Sequence, residues 1–184
     1  MPARTRLVKQ VAAIFIVFVL GILLVQPFIS TEIETYDLSN EIATNTDNTG
    51  RRLAEVDLKS VAGEIVSTKS LLGTPTIINI WYSTCEPCRR ELPVLASAAA
   101  QYRDLVRFVG INIKDSASVA KEFAAQYGVE FELLLDTNGL FISELGIATA
   151  PVTLAVDAQG VIIDQVAGEM SASELDELVR GLLK

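Results

Sequence analysis

Cys85-Glu86-Pro87-Cys88 is the most constraining feature of this chain, because of where it falls. It follows Thr76–Tyr82 (TIINIWY), a near-continuous β-prone run suited to a strand buried on both faces. A helix pattern begins at Cys85 and runs to about Arg103, with Leu92, Leu95, Ala96, Ala99 and Tyr102 on one side. Pro87 suits the first helical turn, where its missing N–H is not needed, whereas Pro93 inside the helix is expected to kink it. A strand that turns directly into a helix at its C-terminal end is one half of a parallel crossover unit.

The rest of the pattern repeats that unit. Leu53, Val56, Leu58 and Val61, a turn at Gly63, and Ile65-Val66 suggest a short hairpin. Leu105–Ile113 reads as a buried strand. Ser116 or Ser118 can cap a helix with Val119, Phe123 and Tyr127 on one face, stopped by Gly128. Phe131–Leu135 is a further strand, and Leu140–Leu145 a short helix. Val152–Val156 and Val161–Val166 flank the hairpin turn Asp157-Ala158-Gln159-Gly160. Ser171-Ala172-Ser173-Glu174 is a capping box before a helix carrying Leu175, Leu178, Val179 and Leu182. The order β-β-β-α-β-α-β-α-β-β-α predicts an α/β domain over residues 53–184, a mixed sheet with helices on its faces.

Ahead of that domain the chain changes character twice. Residues 1–10 hold Arg4, Arg6 and Lys9 and no acid. Residues 11–29 are almost wholly apolar and as a helix would span roughly 28 Å, close to the hydrocarbon thickness of a bilayer. The alternative is a cleaved secretory signal, but Val25-Gln26-Pro27-Phe28-Ile29-Ser30 is bulky where a peptidase needs small residues. The expectation is a single-pass anchor with a cytoplasmic N-terminus and an extracytoplasmic domain, by the positive-inside bias. Residues 30–52 are polar and aperiodic and read as a tether of roughly 25 Å.

The 184 residues contain two cysteines and no histidine, with 15 Lys+Arg against 23 Asp+Glu. A histidine general base and a His-ligated zinc site are thereby excluded, and the net charge of −8 argues against nucleic acid. Three readings of the cysteines remain. A static disulfide across two residues restrains little of the unfolded chain. A metal site would need ligands the chain lacks, so none is expected. A redox-active dithiol fits best, because the helix start favours a thiolate at Cys85.

Trp81-Tyr82-Ser83-Thr84-Cys85-Glu86-Pro87-Cys88 resembles the WxxxCxPC active site of thioredoxin-like proteins, and most of all the membrane-anchored TlpA/ResA branch of disulfide reductases. The resemblance extends from about Leu53 to Lys184. It takes in Ile78-Asn79-Ile80-Trp81, Pro93, Leu135-Asp136-Thr137, and Ala150-Pro151 followed by Val152–Asp157 and Gly160.

The resemblance implies a thioredoxin-like fold with Cys85 as exposed nucleophile and Cys88 as buried resolving thiol. Pro151 would be a cis-proline beside the disulfide, although an ordinary trans proline would suit the sequence equally. Trp81, Glu86, Pro87, Ala150 and Pro151 would support the site and its partner groove. Many thioredoxins carry an acid where this chain has Asn79. Glu91, one turn after Cys88, is expected to accept the proton of Cys88, or else to be a solvated first-turn acid. Glu86 beside Cys85 should oppose its ionisation, with Arg89 and Arg90 acting the other way.

The implied activity is reduction of disulfides in an oxidised protein, with apocytochrome c among the candidate substrates and a membrane thiol-disulfide carrier as electron source. No cofactor is needed beyond the Cys85–Cys88 pair. Rival readings are a disulfide-donating oxidase of the same fold, a non-catalytic binding domain, and, less well supported, a peroxidase.

Overall fold

The computed structural model describes residues 14–17, 19–21 and 44–184. The chain forms two compact units, Met1–Ile42 and Ala43–Lys184. In the first, residues 14–17 and 19–21 are helical, and Ile14, Phe15, Ile16 and Val17 are exposed. No helix among the described residues is long and apolar enough to cross a membrane. The anchor expected over 11–29 and the tether over 30–52 lie largely outside the described residues.

The second unit is built on a seven-stranded mixed sheet. Its strands are β1 (Asp57–Ser60), β2 (Ile65–Ser67), β3 (Thr76–Trp81), β4 (Arg107–Asn112), β5 (Glu132–Leu135), β6 (Val152–Val156) and β7 (Ile162–Ala167). The helices are α1 (Glu86–Gln101), α2 (Ala117–Gln126), α3 (Leu140–Glu144) and α4 (Ala172–Leu182), with a 3-10 turn at Thr68–Leu71. The spatial order is β2-β1-β5-β4-β3-β6-β7. β3, β4 and β5 run parallel, as crossover helices require, and the other neighbours pair antiparallel. This is the thioredoxin-like α/β fold.

β3 lies between β4 and β6, and all six of its residues are buried, which explains its unbroken apolar run. Ile78 and Ile80 face one core with Leu58, Ile111, Leu134 and Phe141. Ile77 joins Leu95 of α1 and Leu175, Leu178, Val179 and Leu182 of α4 on the other side. Trp81 packs with Cys85, Cys88, Leu92, Ala120 and Ala124 in a third cluster. The hydrogen-bonded capping box at Ser171 and Glu174 starts α4 as its sequence indicates.

α1 contains Pro93 within its span, as the sequence indicates. Two details differ from expectation. In α2, capped by Ser116, the buried residues are Ala120 and Ala124, while Val119 is 44% exposed. The small alanines let α2 lie close beside the indole of Trp81, and Phe123 stacks on that ring at 6.0 Å. Finally, residues 44–52 hydrogen-bond to the folded unit. The Gly50 N–H donates to the Ile162 carbonyl and the Ile162 N–H to that of Arg51. Asn48 is buried, with its amide donating to the carbonyls of Thr46 and Leu145 and to Gln165.

Candidate active site

The two cysteines form a disulfide at the junction of β3 and α1, with Cα atoms 5.2 Å apart. Cys85 is the N-cap of α1, its sulfur 3.2 Å from the Cys88 N–H that points at it. That sulfur holds the place where a capping oxygen would sit, at the positive end of the helix dipole. Both effects favour a thiolate there once the bond is opened. Both cysteines are buried in the oxidised pair, Cys85 at 4% and Cys88 at 1% exposure, so Cys85 is not the exposed group expected. Trp81 and Leu92 belong to the buried cluster in which the pair packs.

Opposite the sulfurs lies the loop before β6. The Ala150–Pro151 peptide is cis, and the Ala150 carbonyl oxygen is 3.6 Å from Cys85 Sγ. An oxidised sulfur has no proton to give, so this is a contact. In the thiol form the same geometry lets Cys85 donate to that carbonyl.

Glu91 lies one turn beyond Cys88 on α1 and is fully buried. Its Oε2 accepts from Asn79 Nδ2 at 2.9 Å, and its Oε1 from the Met170 N–H at 3.1 Å. The Asn79 amide also donates to Thr153 Oγ1 at 2.9 Å, tying β3, β6 and α1 together. Burial pushes the Glu91 carboxyl up to about 7; the Met170 and Asn79 hydrogen bonds oppose that rise and the nearby Glu169 adds to it. Glu91 is therefore not the solvated first-turn acid that the sequence left open. Asn79 as partner of Glu91, and Thr153 as partner of Asn79, emerge only from the fold. The available signal was a polar residue in the middle of a buried strand, which must find hydrogen-bond partners.

Glu86 is exposed, with ion pairs of 3.2 Å to Arg89 and 3.5 Å to Arg90. Arg90 also forks onto Glu169, its Nε 2.9 Å from Oε2. Its charge is thus matched locally. Pro87 occupies the first turn of α1. Trp81 is wholly buried, and its indole nitrogen has no hydrogen-bond partner among the described residues, consistent with a packing role.

A second polar cluster holds the turn between β3 and Cys85. Asp115 accepts from the Ser83 N–H at 2.7 Å, the Ser83 hydroxyl at 2.6 Å and Asn112 Nδ2 at 2.7 Å. The Lys114 ammonium stands 5.0 Å over the Tyr82 ring. The members of this cluster lie on the turn after β3, at the end of β4 and on the loop that follows, and so leave no local pattern in the sequence.

Residues 49–165 match the AhpC/TSA family. The thioredoxin-like protein YneN of Bacillus subtilis is 28% identical over 131 residues, which cover 70% of this chain and 76% of that one. The thiol-disulfide oxidoreductase ResA of the same species is 26% identical over 121 residues, 65% of this chain and 68% of that one. Among solved structures, MTB dsbF, in mixed oxidised and reduced forms, is 33% identical with a TM-score of 0.64, covering 70% of this chain and 95% of that one. With a Cys-Glu-Pro-Cys helix start on this fold, the chain belongs to the AhpC/TSA family and is a thiol-disulfide oxidoreductase of thioredoxin-like fold.

Proposed function

We propose that the chain is a membrane-tethered, extracytoplasmic reductase of protein disulfides that works through Cys85 and Cys88, with Glu91 as the proton acceptor. The observation that carries this reading is the buried Glu91 carboxyl, pushed up to about 7 and fixed one turn beyond Cys88. A base that titrates near working pH is matched to taking a thiol proton and giving it back.

In the first step the Cys85 thiolate attacks one sulfur of a partner disulfide, and the other sulfur leaves as a thiolate. Cys88 then loses its proton toward Glu91 and attacks Cys85 Sγ. The mixed disulfide breaks, the Cys85–Cys88 bond forms, and the partner's second sulfur leaves. Two electrons pass to the partner, whose thiolates take up protons from Glu91 and solvent. A membrane dithiol carrier then reduces the pair for the next cycle. Apocytochrome c is a fitting substrate for this chemistry, and no cofactor is required beyond the two cysteines.

The tethering rests on the apolar run 11–29, the exposed apolar side chains of its described helical residues, and the basic flank of Arg4, Arg6 and Lys9. Protease accessibility in intact cells, together with membrane fractionation, tests it. The direction of transfer is tested by the reduction potential. A value near the roughly −270 mV of a reductant supports the reading, and one near −120 mV makes the chain a disulfide donor instead. Cys88→Ser in the full chain should trap the partner as a mixed disulfide and so identify it. Undiminished function in Cys85→Ser would leave only a binding role.

A further inference from the structure

The stretch read from sequence as the end of the tether is hydrogen-bonded to the loop that faces the cysteines. Asn45 Oδ1 accepts from two consecutive backbone groups, the Ala148 N–H at 2.8 Å and the Thr149 N–H at 2.9 Å. Asn45 Nδ2 donates to Thr149 Oγ1 at 2.9 Å, so one half-buried amide uses both ends on one loop. Beside it the Thr46 N–H donates to the Gly146 carbonyl at 2.9 Å. The fit is close: a Cβ on Gly146 would meet Thr46 Oγ1 at 2.4 Å, and the glycine's φ of +59° lies in the left-handed region that favours glycine.

The residue after Thr149 is Ala150, whose carbonyl oxygen lies 3.6 Å from Cys85 Sγ. Residues 146–149 belong to no strand or helix, and Ala148 and Thr149 are exposed. Two adjacent N–H groups in such a loop would otherwise be left to solvent, and their capture by one side chain fixes the backbone just ahead of that carbonyl.

We propose that Asn45 is a positioning residue for the attacking cysteine: by holding the Ala148 and Thr149 N–H groups it keeps the Ala150 carbonyl against Cys85 Sγ. This rests on the reading of Cys85 as the attacking thiol. A carbonyl oxygen held there accepts from the thiol and opposes the thiolate, so it counters the helix start and tempers how easily Cys85 ionises. The last residues of the tether thereby form part of the active site, and a domain cut at Leu53 would lack them.

The test is the pH profile of alkylation of Cys85 in the reduced full-length chain, in detergent, with Cys88→Ser to leave one thiol. Asn45→Ala frees the loop and should lower the midpoint by about half a unit, about threefold in thiolate fraction below the midpoint. Asn45→Asp keeps an acceptor for both N–H groups and adds an opposing charge, so its midpoint should stay at or above the parent's. Arg52→Ala serves as control. It removes a bond from the same segment to the Gln159 carbonyl, on the β6–β7 turn, and should leave the profile unchanged.

A superimposable profile for Asn45→Ala, or an equal shift in Arg52→Ala, overturns the role of Asn45. A parent thiol that resists alkylation up to about pH 10 would instead remove Cys85 as attacking group, and with it the function proposed above.

Discussion

Glu91 and Asp115 flank the same cysteine turn, one on the helix that leaves it and one on the loop beside it, yet their environments drive them in opposite directions. Glu91 is fully buried and accepts two hydrogen bonds, one per oxygen, and burial takes its carboxyl up to about 7. Burial also pushes Asp115 up, but its hydrogen bonds from Ser83 and Asn112, with Lys114 nearby, outweigh that and hold it below the ordinary value of 3.8. The balance of donors against desolvation decides the sign. One acid is left able to exchange a proton near neutrality, and the other is a fixed anion that pins Ser83 to the β4–α2 loop.

Removing the two charges must therefore have different consequences. Glu91→Gln should slow resolution of the mixed disulfide by about 10²-fold at neutral pH, the low end for a general base. It should also erase the inflection near pH 7 in the rate. Stopped-flow measurement of the resolution step across pH 5–9 checks both, and a rate unchanged across that range would leave Glu91 without a catalytic part. Asp115→Asn should retain the inflection.

The two acids also predict opposite pH dependences of stability. Between 4.5 and about 7 the folded chain keeps a proton on Glu91 that the unfolded chain has lost. Stability should therefore fall as pH rises through that window, by about 3 kcal/mol, and stay level above it. Asp115 has a lowered folded value, so its contribution is present above 3.8 and is lost as pH falls through that folded value. Urea denaturation at a series of pH values should show Glu91→Gln flattening the decline between 4.5 and 7. Asp115→Asn should leave that decline in place.

The absolute cost of Asp115→Asn comes next in size. The amide keeps one acceptor oxygen and gives up the charge-assisted bonds, so about 1–3 kcal/mol is expected at neutral pH. A thermal melt of the oxidised chain would show it. A loss no greater than that of an exposed ion pair, such as Glu86 with Arg89, would mean that Asp115 pins nothing.

Legibility in the sequence follows the range of the interaction. The order of strands and helices, the capping box at Ser171, the turn at Asp157–Gly160 and the cysteines at a helix start are all written in periods or spacings of a few residues. Cys85, Cys88 and Glu91 share one helix start, so their proximity is legible for that reason. Asn48 belongs to the folded unit through bonds to residues 97 and 117 positions away, and Asn45 through bonds across 103 and 104. A polar side chain that reaches that far leaves no local pattern, so a segment such as 44–52 looks like solvated linker until the fold supplies its partners. The Glu91 site shows both cases. Its i,i+3 relation to Cys88 is local, whereas its fully buried state depends on Met170, which is 79 residues away.

Asn79 is where the comparison can be tuned without removing either acid. Its amide is one of the two donors to the Glu91 carboxylate, and each such donor favours the ionised form. Asn79→Ala takes that donor away and leaves burial less opposed, so the Glu91 midpoint should rise above 7 by about half a unit to one unit. The resolution rate near neutral pH should then fall several-fold, because less of the base is ionised, and should recover at higher pH. Asn79→Asp separates the donor from the space it fills. It restores side-chain bulk but sets a second acid against the first, so the pair should titrate in two steps with the upper one above the parent's midpoint. A midpoint that moves down in Asn79→Ala would mean that the Asn79 N–H does not stabilise the carboxylate, and that its bulk raises the midpoint by keeping water out. Donors would then oppose burial at Asp115 but not, through Asn79, at Glu91, and the difference between the two acids would be one of kind.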